Sequence, residues 1–126
     1  MIKVLLVDDH PVVRAGYARL LTQQPGIDVV AEAGNADEAY EAYIQHMPDV
    51  TITDVSMPGV GGLGLVQKIL MRHAHACLLV CSMYDSAPLV ERVFQTGAKG
   101  FVSKNAQPQD LIKAVHEVYA GRSFNS

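Results

Sequence analysis

The chain has 126 residues, 49% of them apolar and 18% charged, with a net charge of −3. That is the length of one domain able to bury a core of its own, and the composition lies far from the disordered regime. The acidic balance leaves no basic footprint for nucleic acid, and no run approaches the roughly 18 apolar residues of a membrane span.

The first apolar run, Ile2–Val7, ends at once in Asp8-Asp9. It is too short and too soon charged for a signal peptide, so a cytoplasmic protein is expected. Pro11 suits the first position of a helix whose apolar face carries Val13, Tyr17, Leu20 and Leu21. A second strand is expected over Val29–Ala33. Asn35 and Glu38 then form a capping-box pattern ahead of the stripe Ala36, Ala39, Tyr40, Tyr43 and Met47, which stops at Pro48. Val50–Thr53 reads as the third strand, and Leu63, Val66 and Leu70 mark the third helix. Leu78–Cys81 is the fourth strand. A fourth helix opens near Ser86-Ala87-Pro88, buries Val90, Val93 and Phe94, and stops at Gly97. Gly100–Ser103 is the fifth strand. Pro108 opens the last helix, with Leu111, Ile112, Val115, Val118 and Tyr119 inward and Gly121 at its end.

The cysteines, Cys77 and Cys81, share one strand-like run. Four residues at ~3.3 Å each separate them by ~13 Å, beyond the ~7 Å that a disulfide can span. They read as small buried hydrophobes rather than as a metal or redox pair.

Strict alternation of strand and helix predicts an α/β fold with a parallel sheet, right-handed crossovers and helices on both faces. Functional groups of such sheets gather beyond the carboxyl ends of the strands. Those ends carry Asp8 and Asp9, then Asp54, Ser82 and Lys104; the second strand contributes nothing ionisable. Clustered carboxylates repel, and a divalent cation lets them remain ionised. Oxygen ligands with room for water favour Mg²⁺ over zinc or copper.

The Asp8-Asp9 pair, the segment Asp54-Val55-Ser56-Met57-Pro58-Gly59, Ser82 and Lys104 together resemble the receiver domain of two-component response regulators. The resemblance covers essentially the whole chain in order. Val7-Asp8-Asp9-His10-Pro11-Val12-Val13-Arg14 and Ser103-Lys104-Asn105-Ala106-Gln107-Pro108 narrow it to the NarL/FixJ branch. It implies a flavodoxin-like fold, a five-stranded sheet in the order 2-1-3-4-5 with five helices, over residues 1–121. Residues 122–126 would begin a linker to a C-terminal helix-turn-helix domain absent from this chain, through which alone DNA would be bound. It further implies that Asp54 accepts a phosphoryl group from a sensor histidine kinase. Mg²⁺ would be held by Asp9, Asp54 and the backbone carbonyl of Ser56, with Asp8 acting through a bound water. Lys104 would neutralise a phosphoryl oxygen, Ser82 would be the switch hydroxyl and Phe101 the switch aromatic. A homodimer on phosphorylation, by the face of the fourth and fifth helices, is expected, as is no enzymatic turnover beyond the chain's own phosphoryl transfer and autodephosphorylation.

Other readings compete. Asp8 and Asp9 could simply face the positive end of the first helix, Lys104 could be a solvated lysine and Ser82 a capping hydroxyl; these account for single residues and not for their convergence. Gly59-Val60-Gly61-Gly62-Leu63-Gly64 fits a dinucleotide-binding pattern. However, Asp54 and Pro58 occupy the turn, and an anionic Asp54 would repel a pyrophosphate. The segment reads instead as a flexible loop and a frayed helix start, since each glycine disfavours helix by ~1 kcal/mol. His73-Ala74-His75 lacks a third ligand in sequence and reads as surface; His10 either tunes the acidic cluster or flanks it. A phosphohydrolase would need a second acid two residues after Asp54, where Ser56 stands. A protein–protein module indifferent to phosphate is the alternative of a different class.

Two positions depart from the family pattern. Met83 stands where a small residue is usual, which predicts slow reaction with small phosphodonors. Asn105 replaces the common proline, so no cis bond is expected after Lys104. Thr51 and Thr53 put two hydroxyls inside the central strand, and buried hydroxyls need partners. Ser56 and Tyr84 sit where the family tunes phosphoryl lifetime.

Overall fold

Alternating burial along the strands organises the molecule. In β1 (Ile2–Val7), Val4 and Leu6 point to one side of the sheet and Leu5 and Val7 to the other, and all four are buried. This is the period of two that a strand covered on both faces requires. The computed structural model describes residues 1–125. After β1 come α1 (Pro11–Thr22), β2 (Ile27–Ala33), α2 (Ala36–His46), β3 (Val50–Thr53), α3 (Gly61–Arg72) and β4 (Leu78–Ser82). The chain continues with α4 (Ala87–Gln95), β5 (Gly100–Ser103), α5 (Pro108–Tyr119) and β6 (Phe124–Asn125).

All strands pair in parallel, in the order β2-β1-β3-β4-β5-β6. One core cluster, with Leu5, Val7, Tyr43, Ile69, Val80 and Phe101 among its members, lies under α2, α3 and α4. The other joins Val4, Leu6, Leu21, Ile52, Leu79 and Val115 beneath α1 and α5. Each fully buried Leu, Ile or Val contributes ~1.5–3 kcal/mol relative to exposure.

The expected elements form, with three corrections. β2 begins two residues early, at Ile27, because Asp28 interrupts the apolar run in sequence yet sits exposed on an edge strand while Ile27 pairs with Ile2 and is buried. The sheet has six strands rather than five. Phe124 and Asn125, expected in a linker from residue 122, pair with Gly100 and Phe101, and Phe124 packs on the α1/α5 core. Two residues carry no periodicity from which to read a strand. Ser126, the last residue of that expected linker, lies outside the described residues. Third, the glycine run divides: Gly59 and Val60 form the expected loop, while α3 runs from Gly61, whose φ of +71° is still left-handed.

Side chains cap α2 and α4. Asn35 Oδ1 accepts the Glu38 N–H at 2.9 Å, while Glu38 Oε1 reaches back to the N–H of Gly34 at 3.0 Å. Ser86 Oγ accepts the Leu89 N–H, and Gly97 and Gly121 take positive φ after α4 and α5. Cys77 and Cys81 are free thiols, and burial pushes both up to about 11, consistent with apolar filler. No described helix is long and apolar enough to cross a membrane.

Candidate functional site

The carboxyl ends of β1, β3 and β5 deliver Asp8, Asp54 and Lys104 to one point. Lys104 Nζ donates to Asp8 Oδ2 at 2.8 Å and to Asp54 Oδ2 at 3.1 Å. All three side chains are less than a tenth exposed. Burial alone would lower the ammonium pKa, but the hydrogen bonds and charges of Asp8 and Asp54 outweigh it and hold Lys104 above its ordinary value. The lysine is therefore a fixed cation bridging two buried acids, not a solvated surface residue.

Local structure aims these groups. Arg14, one turn into α1, donates from its guanidinium to the Asp8 carbonyl at 2.7 Å and to Glu32 at 3.3 Å, tying α1 to the ends of β1 and β2. The N–H of Asp54 donates to the Val7 carbonyl, and the N–H of Lys104 to the Ser82 carbonyl at 2.8 Å. Gly62 packs so closely against the turn after β3 that a Cβ there would lie 1.8 Å from the Asp54 carbonyl oxygen. Glycine is thus required by close approach, and no period or cap in the sequence signals it.

Asp9 is partly exposed, but its Oδ1 is buried and has no hydrogen-bond partner. His10 Nδ1 lies 3.0 Å from that oxygen at an angle that makes no hydrogen bond, 3.2 Å from Asp8 Oδ1 and 4.0 Å from Asp54 Oδ2. Asp8, Asp9, His10 and Asp54 each offer a donor atom, all within 4.8 Å of one another. An orphaned carboxylate oxygen beside two more acids carries charge that Lys104 alone does not neutralise. The residues therefore fit a divalent cation on oxygen ligands.

Ser82 is fully buried, but its Oγ accepts the Tyr84 N–H at 3.0 Å and makes no hydrogen bond to Asp54. Ser56 is exposed at the rim, and its N–H donates weakly to Asp54 Oδ1 at 3.4 Å. Phe101 lies two pairs back along β5, fully buried and bordering a cavity under α4 with Val90 and Phe94. The two departures from the family pattern meet here: Asn105 Nδ2 donates to the Met83 carbonyl at 3.3 Å, and the peptide after Lys104 is trans. Met83, 62% exposed, and Tyr84 stand over a cleft of about 230 Å³ shared with His10, Asp54, Ser56 and Lys104. Thr53 Oγ1 donates to the Asp54 carbonyl at 3.0 Å, while Thr51 Oγ1 is buried without a partner.

An anion that enters the cleft meets the Lys104 ammonium and, with a cation bound to the acids, a second positive centre. The Asp54 carboxylate at its floor is then the available oxygen nucleophile.

Comparison with known proteins agrees with this geometry. The response regulator receiver domain family matches residues 4–116. The response regulator UvrY of Escherichia coli K12 is 41% identical over 98% of this chain, which spans 57% of UvrY's length. A LuxR-family two-component response regulator from an Aurantimonas species superposes with a TM-score of 0.96 at 38% identity, covering 98% of this chain and 89% of that one. The signal receiver domain of a NarL response regulator from Mycobacterium tuberculosis gives 0.91 at 32% identity, covering 96% and 98%. The chain accordingly belongs to the receiver domains of two-component response regulators, in the NarL/LuxR branch.

Proposed function

We propose that Asp54 is the phosphoacceptor of a switch set by a sensor histidine kinase. The observation that carries this reading is the Asp54 carboxylate, 5% exposed, at the floor of an open cleft with Lys104 Nζ 3.1 Å from one oxygen. In the reaction an Asp54 oxygen attacks the phosphorus of a phosphohistidine, forming an O–P bond as the P–N bond breaks. The electron pair leaves with the imidazole, which takes up a proton. Little covalent chemistry is asked of the protein, so positioning and charge neutralisation carry the rate.

Mg²⁺ would be held by Asp9, Asp54 and the Ser56 carbonyl and would supply positive charge against the transferring group. Asp8 would help to hold the ion indirectly, and it keeps Lys104 in place. Lys104 neutralises a further phosphoryl oxygen as a point charge. Ser82 exchanges its bond to the Tyr84 N–H for one to the phosphoryl group, drawing the loop before α4 inward, and Phe101 repacks beneath α4. Phosphorylation favours a homodimer and so controls a C-terminal helix-turn-helix domain of the full-length cytoplasmic protein. Its only catalysis is its own phosphorylation and dephosphorylation.

The test is intact-protein mass spectrometry after incubation with Mg²⁺ and acetyl phosphate or a phosphorylated kinase. A phosphoryl adduct absent from Asp54→Ala is expected. No adduct with any donor would instead indicate an interaction module indifferent to phosphate.

A further inference from the structure

His10 has no part in the chemistry above, and its side chain caps nothing: it occupies the N-cap of α1 without a side-chain capping bond. Its ring is 60% exposed and could turn to water. Instead Nδ1 faces three carboxylates, 3.0 to 4.0 Å from an oxygen of each of Asp9, Asp8 and Asp54. The backbone is held to the same acids, since the His10 N–H donates to Asp8 Oδ1 at 2.9 Å and Pro11 begins the helix immediately after. We propose that His10 is a nitrogen ligand of the cation site, giving it a stronger preference for Mn²⁺ and later transition ions over Mg²⁺ than an all-oxygen site has. This rests on the reading of Asp9 and Asp54 as cation ligands.

The donor spacing supports it. Ligands on opposite sides of an octahedral ion at ~2.1 Å stand ~4.2 Å apart, and the donor atoms of Asp9, His10 and Asp54 already lie within 4.8 Å of one another. A small shift brings the imidazole into the coordination sphere, with Nδ1 exchanging its contact with Asp8 Oδ1 for the ion. Mg²⁺ gains little from replacing a water by imidazole. Mn²⁺, Co²⁺ and Ni²⁺ gain progressively more as affinity rises along the first-row series. The competing role for His10 is that of a placeholder, which covers the acids until a cation displaces it.

The experiment titrates the purified chain, His10→Ala and His10→Gln with Mg²⁺ and with Mn²⁺. Electron spin-echo spectra of the bound Mn²⁺ then report directly coordinated ¹⁴N. The expected result is a ¹⁴N coupling in the wild type that both variants lose. The ratio of Mn²⁺ to Mg²⁺ affinity should fall roughly tenfold in both, the lower end of what loss of a metal-site group costs. A wild-type spectrum without ¹⁴N coupling overturns the proposal. So does a rise in affinity for both ions in His10→Ala, the outcome a placeholder gives. Asp9→Asn separates the two levels. If it leaves both ions bound, the cation site itself has been misplaced; if it abolishes binding while the wild type lacks ¹⁴N coupling, only the role of His10 fails.

Discussion

The two ends of the sheet hold similar residue types and use them differently. At the carboxyl end, Asp8, Asp9, His10 and Asp54 place ligand atoms within 4.8 Å of one another, with Lys104 bound to two of the acids. At the amino end, Asp49, His73, His75, Arg72 and Cys77 border a cleft of about 480 Å³. Among the described residues, no second group of three potential metal ligands comes together. Here three of these groups serve local structure. Asp49 Oδ2 accepts the Lys3 N–H at 2.8 Å, His73 packs its ring against Tyr43 at 5.1 Å between centroids, and the Cys77 thiol donates to the Val118 carbonyl.

The difference follows from chain direction. In a parallel sheet every helix starts beyond the carboxyl edge and ends near the amino edge. The first edge therefore gathers positive helix ends and the second negative ones. Each of the five helices carries a basic residue in its last turn, namely Arg19, His46, Arg72, Arg92 and His116. Acids in numbers are tolerable at one edge only, and there a lysine and a cation can share them.

Four substitutions test the contrast between the two edges. Lys104→Ala leaves two buried acids facing each other and should cost ~3 kcal/mol of stability in metal-free buffer. Much of that loss should return with Mg²⁺ in the same denaturant titration, and equal stability with and without the ion would show that Lys104 is not a charge partner. Gly62→Ala forces a methyl group against the Asp54 carbonyl. It should cost ~2 kcal/mol by overpacking and weaken cation binding with it. An Ala variant as stable as the parent, with unchanged cation affinity, would show that this contact relaxes freely.

Met83→Ala, at the mouth of the same cleft, should raise the rate with acetyl phosphate roughly threefold, equivalent to ~0.6 kcal/mol of barrier. A rate no faster than wild type would remove Met83 as the obstruction. The smallest effect belongs to the other end: His75→Ala should alter stability by less than ~0.5 kcal/mol and leave cation affinity unchanged by calorimetry. A measurable loss of binding would mean that the two edges are not separate.

Much of this was legible in the residues. β1, β3 and β5 have the expected bounds because their apolar runs are buried on both faces and sharply punctuated. The acids and the lysine were nameable because the direction of a parallel sheet dictates where strand ends meet. β6 was not legible, since two residues show no period and its pairing with β5 depends on where α5 returns the chain. His10 was only half legible: its position beside the acids was plain, but which way its ring turns is set by tertiary contact.

By itself, then, the sequence determined the alternation of strands and helices, the two-faced core and the residue types at the functional edge, all properties of local pattern and chain order. Tertiary structure alone decided how those residues are engaged. It joined Lys104 to Asp8 and Asp54, turned Ser82 Oγ toward the Tyr84 N–H, and pressed Gly62 under the Asp54 carbonyl. Such distances depend on residues as many as 96 positions apart, and only the packed sheet brings them within hydrogen-bond reach.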